Sequence, residues 1–255
     1  MSSLVHYTVE GNVARLTLDS PHNRNALSTA LVNQLHQGLT DATEESGVRA
    51  VVLTHTGGTF CAGADLAEAA GRDPGDVAVD RARELTDLLR RILELPMPVI
   101  AAVDGHVRAG GLGLVGACDI AVAGSNSTFA LTEARIGVAP SIISLTLLPK
   151  MTARAAGRYF LTGEKFGAQE AADFGLITLA ADDVTATVSA LTAQIVRGSP
   201  QGLAASKALT TAAILAAFDE RAEELTEQSA KLFTSEEARE RMLAFLQKRP
   251  PNWAN

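Results

Sequence analysis

The chain has 255 residues, 47% hydrophobic and 20% charged, the make-up of a globular protein of one or two domains with length for a sizeable core. Its formal net charge of −7 argues against a general binder of nucleic acid or anionic membrane. No stretch approaches an uninterrupted membrane span, and Met1 to His6 lack a basic or long apolar leader, so a cytoplasmic, reducing setting is expected.

In chain order, Tyr7–Glu10 and Val13–Leu18 flank Gly11-Asn12 and read as a hairpin. A turn follows over Pro21–Asn25, and Ser28 caps a helix whose Leu31, Leu35 and Leu39 recur at helical spacing. Apolar runs at 50–54 and 98–103 read as buried strands. The polar break Gly71–Asp76 reads either as a mobile loop beside a binding cleft or as an ordinary surface connection. Strand-like and helical segments alternate as far as residue 196, which predicts an α/β core. From about 197 the pattern is helical to the end, with Ser206, Leu209, Ala213 and Phe218 leading into charged helices.

Two small-residue turns follow the two apolar runs: Phe60-Cys61-Ala62-Gly63-Ala64-Asp65-Leu66 and Gly105-His106-Val107-Arg108-Ala109-Gly110-Gly111-Leu112-Gly113. Small residues let backbone N–H groups approach a ligand closely, and a helix N-terminus adds positive potential. Two donors converging on one oxygen would polarise a carbonyl and stabilise an oxyanion or enolate. Cys61 and Cys118, the only cysteines, sit among small apolar residues and read as buried side chains rather than a disulfide, metal ligands or a nucleophile. The five histidines show no metal-ligand spacing, and His106 reads as a turn residue.

The two turns, in this order and some forty residues apart, resemble those of the crotonase superfamily, the enoyl-CoA hydratase/isomerase family. The likeness continues through Cys118-Asp119-Ile120, Phe129–Glu133, Gly137, Pro140, Leu161–Glu164, Phe233–Glu237, Met242–Phe245 and Lys248-Arg249. It implies a spiral of ββα units over 1–196 and a helical cover and trimerisation region over 197–255. It also implies an acyl-CoA thioester as substrate, with coenzyme A part of that substrate and no further cofactor or metal, and a homotrimer or dimer of trimers.

The resemblance places the paired donors on the N–H groups of Ala64 and Gly110. It places the proton-transferring carboxylate on Glu133, for which the plain alternative is an ion pair with Arg135. In a partly apolar pocket such a carboxyl would have a raised pKa. The second carboxylate of the family's hydratases is missing, because Gly113 occupies its position, and the glycine is expected to leave space for water or a bulkier acyl group. Arg24 matches a residue near the CoA phosphates, and Lys248 one that reaches the nucleotide, from a neighbouring subunit in some members. Ala62 is expected to line the channel for the pantetheine arm or adenine. Ala26, Asp65 and Leu66 complete the expected substrate set, Asp65 also suiting a helix N-cap. Arg108 has two readings, a solvated or paired side chain and a bidentate ligand for a distal carboxylate.

The segment 135–144 resembles a subgroup that includes methylglutaconyl-CoA hydratases. Ser141 or Ser144 either orients water or caps the following helix. Addition of water to a 2-enoyl-CoA is therefore the expected reaction. Enoyl-CoA isomerisation by Glu133 alone and non-catalytic acyl-CoA binding are the alternatives.

Overall fold

The computed structural model describes residues 3–65 and 74–254, the side chains of 74, 245 and 246 apart. The expected hairpin forms from β1 (Val5–Glu10) and β2 (Val13–Leu18), antiparallel with Glu10 opposite Val13. Gly11 takes the positive φ of 59° that the tight turn requires. The Ser28 hydroxyl accepts the Leu31 N–H at 3.2 Å and opens α1 (Thr29–Glu44), which buries Leu31, Leu35 and Leu39 as the spacing predicts.

From there the chain repeats one motif. β3 (Ala50–His55) is followed by β4 (Thr59–Cys61) and α2 (Pro74–Glu94); β5 (Val99–Val103) by β6 (His106–Arg108) and α3 (Gly110–Ala117). Next come β7 (Ile120–Gly124), β8 (Thr128–Ala130), a 3₁₀ turn (Glu133–Ile136), α4 (Ser144–Leu147) and α5 (Ala153–Thr162). In each repeat the first strand joins a six-stranded sheet, ordered β1-β2-β3-β5-β7-β10, and the second a four-stranded sheet, ordered β4-β6-β8-β9. β9 is Phe166–Gly167 and β10 is Leu179–Ala181, with α6 (Ala168–Asp173) between them and α7 (Val184–Ile195) after. The strands repeat in parallel, β3 with β5 with β7 and β4 with β6 with β8, and this is the expected spiral of ββα units. Val99–Val103 is buried along its whole length, so its unbroken apolar run is that of a central parallel strand.

Two expectations change. Pro74, Gly75 and Asp76 form the first turn of α2 rather than a loop, with Pro74 at a position that needs no N–H, while Gly71–Asp73 lie outside the described residues. His106 begins β6, with its Nδ1 3.0 Å from the Thr128 hydroxyl. The tail is helical as expected, α8 (Pro200–Phe233) and α9 (Glu236–Leu246). In α8 Leu209 is 82% exposed, and the buried positions include Lys207, Thr211, Ile214, Phe218 and Leu225.

Lys207 anchors the inner face of α8. Its Nζ lies 2.8 Å from Asp119 Oδ2 and donates to the carbonyls of Ile92 at 2.8 Å and Met97 at 3.2 Å. Asp119 Oδ2 also accepts the Val99 N–H at 2.7 Å. One ammonium thus ties α8 to the end of α2, the start of β5 and the end of α3. Burial lowers the Lys207 pKa, and Asp119 opposes that shift. Removing the amine strands a carboxylate in the interior. Lys207→Met is expected to cost about 3 kcal/mol, read from urea unfolding. A loss within about 0.5 kcal/mol of zero would make the pair incidental.

Candidate active site

The small sheet builds the site. β4, β6 and β8 are parallel neighbours, with Cys61 opposite Val107 and Arg108 opposite Ala130. Their carboxyl ends therefore lie side by side, where open parallel sheets present ligand clefts. Just beyond those ends come Ala64, Gly110 and Glu133, residues from three separate stretches of sequence.

Ala64 forms an isolated parallel bridge with Leu27. The bridge is closed by the Leu27 N–H to the Gly63 carbonyl at 2.7 Å and the Asp65 N–H to the Leu27 carbonyl at 3.2 Å. This pattern uses the groups flanking Ala64, so its own N–H points away from Leu27. Gly110 is the first residue of α3, where an N–H has no acceptor within the helix and sits at the positive end of its dipole. The two turns touch: a Cβ built on Gly63 (φ 91°) would lie 3.4 Å from the Gly110 nitrogen and 2.8 Å from Ala109 Cβ. A Cβ on Gly111 would lie 2.8 Å from the Cys61 carbonyl oxygen, so glycine there lets α3 seat directly on β4. Cys61 and Cys118 are free and buried, and burial pushes both thiols up to about 12.

Glu133 opens the 3₁₀ turn after β8, and its carbonyl accepts the N–H groups of Gly137 and Val138. Gly137 adopts φ 78°, and a Cβ there would meet Glu237 and the Ala238 nitrogen at 3.0 Å, so α9 packs directly over this turn. The Glu133 residue is 6% exposed, and among the described residues its Oε2 has no hydrogen-bond partner. Desolvation raises the carboxyl pKa to about 7, opposed only by a bond from its own backbone. The alternative of an ion pair with Arg135 is not formed: Arg135 Nε donates to the Thr162 carbonyl at 2.6 Å.

Arg108 takes the first of its two readings. Its Nη1 donates to the carbonyls of Val107 at 2.7 Å and Thr128 at 2.6 Å, and its Nη2 to the Thr128 hydroxyl at 2.8 Å. These bonds hold β6 to the start of β8, the end away from Gly110, so the expected carboxylate-binding role is withdrawn. The space expected beside Gly113 is also filled. A Cβ there would come within 2.5 Å of Ile143 Cγ2 and 3.3 Å of Leu89 Cδ1, so the position accepts no larger side chain as the chain is folded. Neither serine caps a helix: Ser141 donates to Gln228 Oε1 at 2.7 Å and Ser144 to the Ser141 carbonyl at 2.5 Å.

Around the rim, Arg24 is exposed in a left-handed turn (φ 60°), and its carbonyl accepts the Ala62 N–H at 3.1 Å. Asn25, missed in the sequence although it sits in the Asn-Arg-Asn turn, holds that turn. Its buried amide spans the Ser20 N–H and the Thr56 and Thr59 carbonyls. Ala26 is buried, Ala62 half-buried, and Asp65 accepts from the Asn23 side chain at 3.0 Å, lacing the two loops together. Leu66 lies outside the described residues. Lys248 is exposed near the end of the tail, just after α9, and among the described residues it bonds to none of these groups. Among the described residues no group of three or more His, Cys, Asp or Glu is placed to hold a metal ion.

The enoyl-CoA hydratase/isomerase family model matches residues 8–255. A crystal structure of an enoyl-CoA hydratase from Mycobacterium avium is 67% identical, with a TM-score of 0.94 over 99% of this chain and 100% of that one. Enoyl-CoA hydratase EchA19 of Mycobacterium tuberculosis is 33% identical over 96% of this chain and 94% of its own length. Mevalonyl-coenzyme A hydratase sidH of Aspergillus fumigatus is 32% identical over 99% and 98%. The chain belongs to the enoyl-CoA hydratase/isomerase family, on the crotonase fold.

The raised pKa of Glu133 has a consequence for stability. Between the ordinary carboxylate value of 4.5 and the folded value of about 7, the folded protein holds a proton that the unfolded chain has lost. Stability from this group is thus full below 4.5 and falls as pH rises through 7. Glu133→Gln removes the buried charge, and its melting temperature is expected to exceed that of the unsubstituted protein at pH 8 by more than at pH 5. An equal difference at both pH values would contradict the burial of an ionisable carboxyl.

Proposed function

We propose that this chain is an enoyl-CoA hydratase, adding water reversibly across the double bond of a 2-enoyl-CoA thioester. The observation that carries the reading is the buried, half-unpartnered Glu133 carboxyl at the strand end beside two turns that present amide donors. In the forward reaction the thioester oxygen accepts from the Ala64 and Gly110 N–H groups. The Glu133 carboxylate takes a proton from water as that oxygen bonds to the β-carbon. The electron pair of the double bond moves onto the thioester as an enolate, which the two amides stabilise. The neutral Glu133 carboxyl then returns its proton to the α-carbon, giving the 3-hydroxyacyl thioester and restoring the carboxylate. A pKa near 7 suits a group that must both take and give a proton at neutral pH.

Arg24, exposed on its rigid turn, suits the CoA phosphates. Lys248 would serve the nucleotide of a neighbouring subunit in a trimer. The relatives' names support hydration of CoA thioesters without fixing the acyl group.

One observation favours a second reading. Ile143 seals the position beside Gly113, so no second carboxylate arises there, and one carboxylate suffices to move a proton between two allylic carbons. Incubation with 2-enoyl-, 3-enoyl- and 3-methylglutaconyl-CoA separates the readings by product mass and double-bond position. Gain of one water is the expected result. Unchanged mass with a shifted double bond identifies an isomerase, and binding without turnover identifies a non-catalytic subunit. Glu133→Gln is expected to lower kcat by roughly 10³ while substrate binding persists. Normal turnover by this variant would remove Glu133 from the mechanism.

A further inference from the structure

Ala109 stands between the two donor turns in a backbone conformation that alanine rarely adopts. Its φ of 46° and ψ of −123° are those of a turn position normally filled by glycine. Neighbouring structure holds it there: its N–H donates to the Ala130 carbonyl at 3.3 Å, and its carbonyl accepts the Leu112 N–H at 2.8 Å. The fold therefore retains a methyl group at a position where a bare glycine would sit without strain.

The methyl faces the other turn. A Cβ built on Gly63 would lie 2.8 Å from Ala109 Cβ, and one built on Gly110 would lie 3.8 Å from Gly63 Cα. Gly63 and Ala109 each immediately precede a proposed donor, Ala64 and Gly110. The contact between them is thus the point at which two turns from distant parts of the chain meet.

We infer that Ala109 is a positioning residue, its methyl group the spacer that fixes the separation of the Ala64 and Gly110 N–H groups. The inference rests on the hydratase reading, in which those two groups hold the enolate oxygen. With the methyl present, the turns abut at van der Waals contact and the start of α3 has one position relative to Gly63. Without it, the turns lose that stop, and the backbone of residue 109 gains conformational freedom beside the donor. The donors then spend less time converged on one oxygen. A spacer of this kind acts on the charge-developed state more than on substrate binding.

The test uses the full chain, with acetoacetyl-CoA as probe because its enolate absorbs in the near ultraviolet. Ala109→Gly is expected to melt at or above the temperature of the unsubstituted protein, since glycine relieves the strain. It is also expected to enolise bound acetoacetyl-CoA about ten-fold less readily, and to lower kcat about ten-fold with KM little changed. Ala109→Ser, which keeps a Cβ, is expected to retain enolisation and kcat. A spacer that served only stability would instead lower the melting temperature. If the unsubstituted protein enolises the probe and Ala109→Gly does so equally well, the spacer role is wrong while the donor pair stands. The role also fails if Ala109→Ser falls as far as Ala109→Gly. If the unsubstituted protein binds acetoacetyl-CoA without enolate absorbance, the donor pair fails and the spacer role falls with it.

Discussion

The Glu133 carboxyl is removed from water, and among the described residues one of its oxygens has no partner in exchange. An ordinary protein interior does not tolerate this, since a buried polar atom without a partner costs free energy that the rest of the fold must offset. In the proposed reaction that deficiency is what makes the group useful. The carboxyl is pushed to about 7, with an oxygen left for a water or an α-carbon to meet. Its surroundings enforce the condition. β8 delivers it to the strand end, the Gly137 turn closes behind it, and α9 covers that turn at contact distance.

The proposed donors are subject to the same logic. Gly63, Ala109, Gly110 and Gly111 bring the end of β4 against the start of α3 at distances that larger side chains would forbid. A polar backbone is thereby presented where a packed core would normally satisfy it. Stability comes from elsewhere, from fully buried parallel strands and from Lys207, which fastens the long C-terminal helix beneath α3.

Local patterns were legible where local physics decides. The hairpin around Gly11, the Ser28 cap with its leucine stripe, the buried strands and the two small-residue turns all appear where the sequence places them. Where the outcome depends on a partner distant in sequence, the reading was less sure. The inner face of α8 is not readable from its own residues, because a lysine faces inward and Leu209 outward, and Lys207 finds Asp119 and the Ile92 and Met97 carbonyls only in the fold. Arg108 next to the donor turn suggested an anion site, yet Thr128 takes its guanidinium. The glycine at 113 suggested space, and Ile143 fills it. Ala109 is not legible in the sequence, because an alanine among glycines carries no sign of the backbone angles it adopts in the fold.

The account stands on the ionisation of one carboxyl, and that is directly measurable. A pH titration of the Glu133 side-chain carboxyl carbon by carbon-13 NMR, assigned by comparison with Glu133→Gln, reports its pKa in the free protein. A midpoint near 7 agrees with the structure, and a midpoint near the ordinary carboxylate value of 4.5 would mean that the group is solvated or paired, contradicting the proton relay at its root.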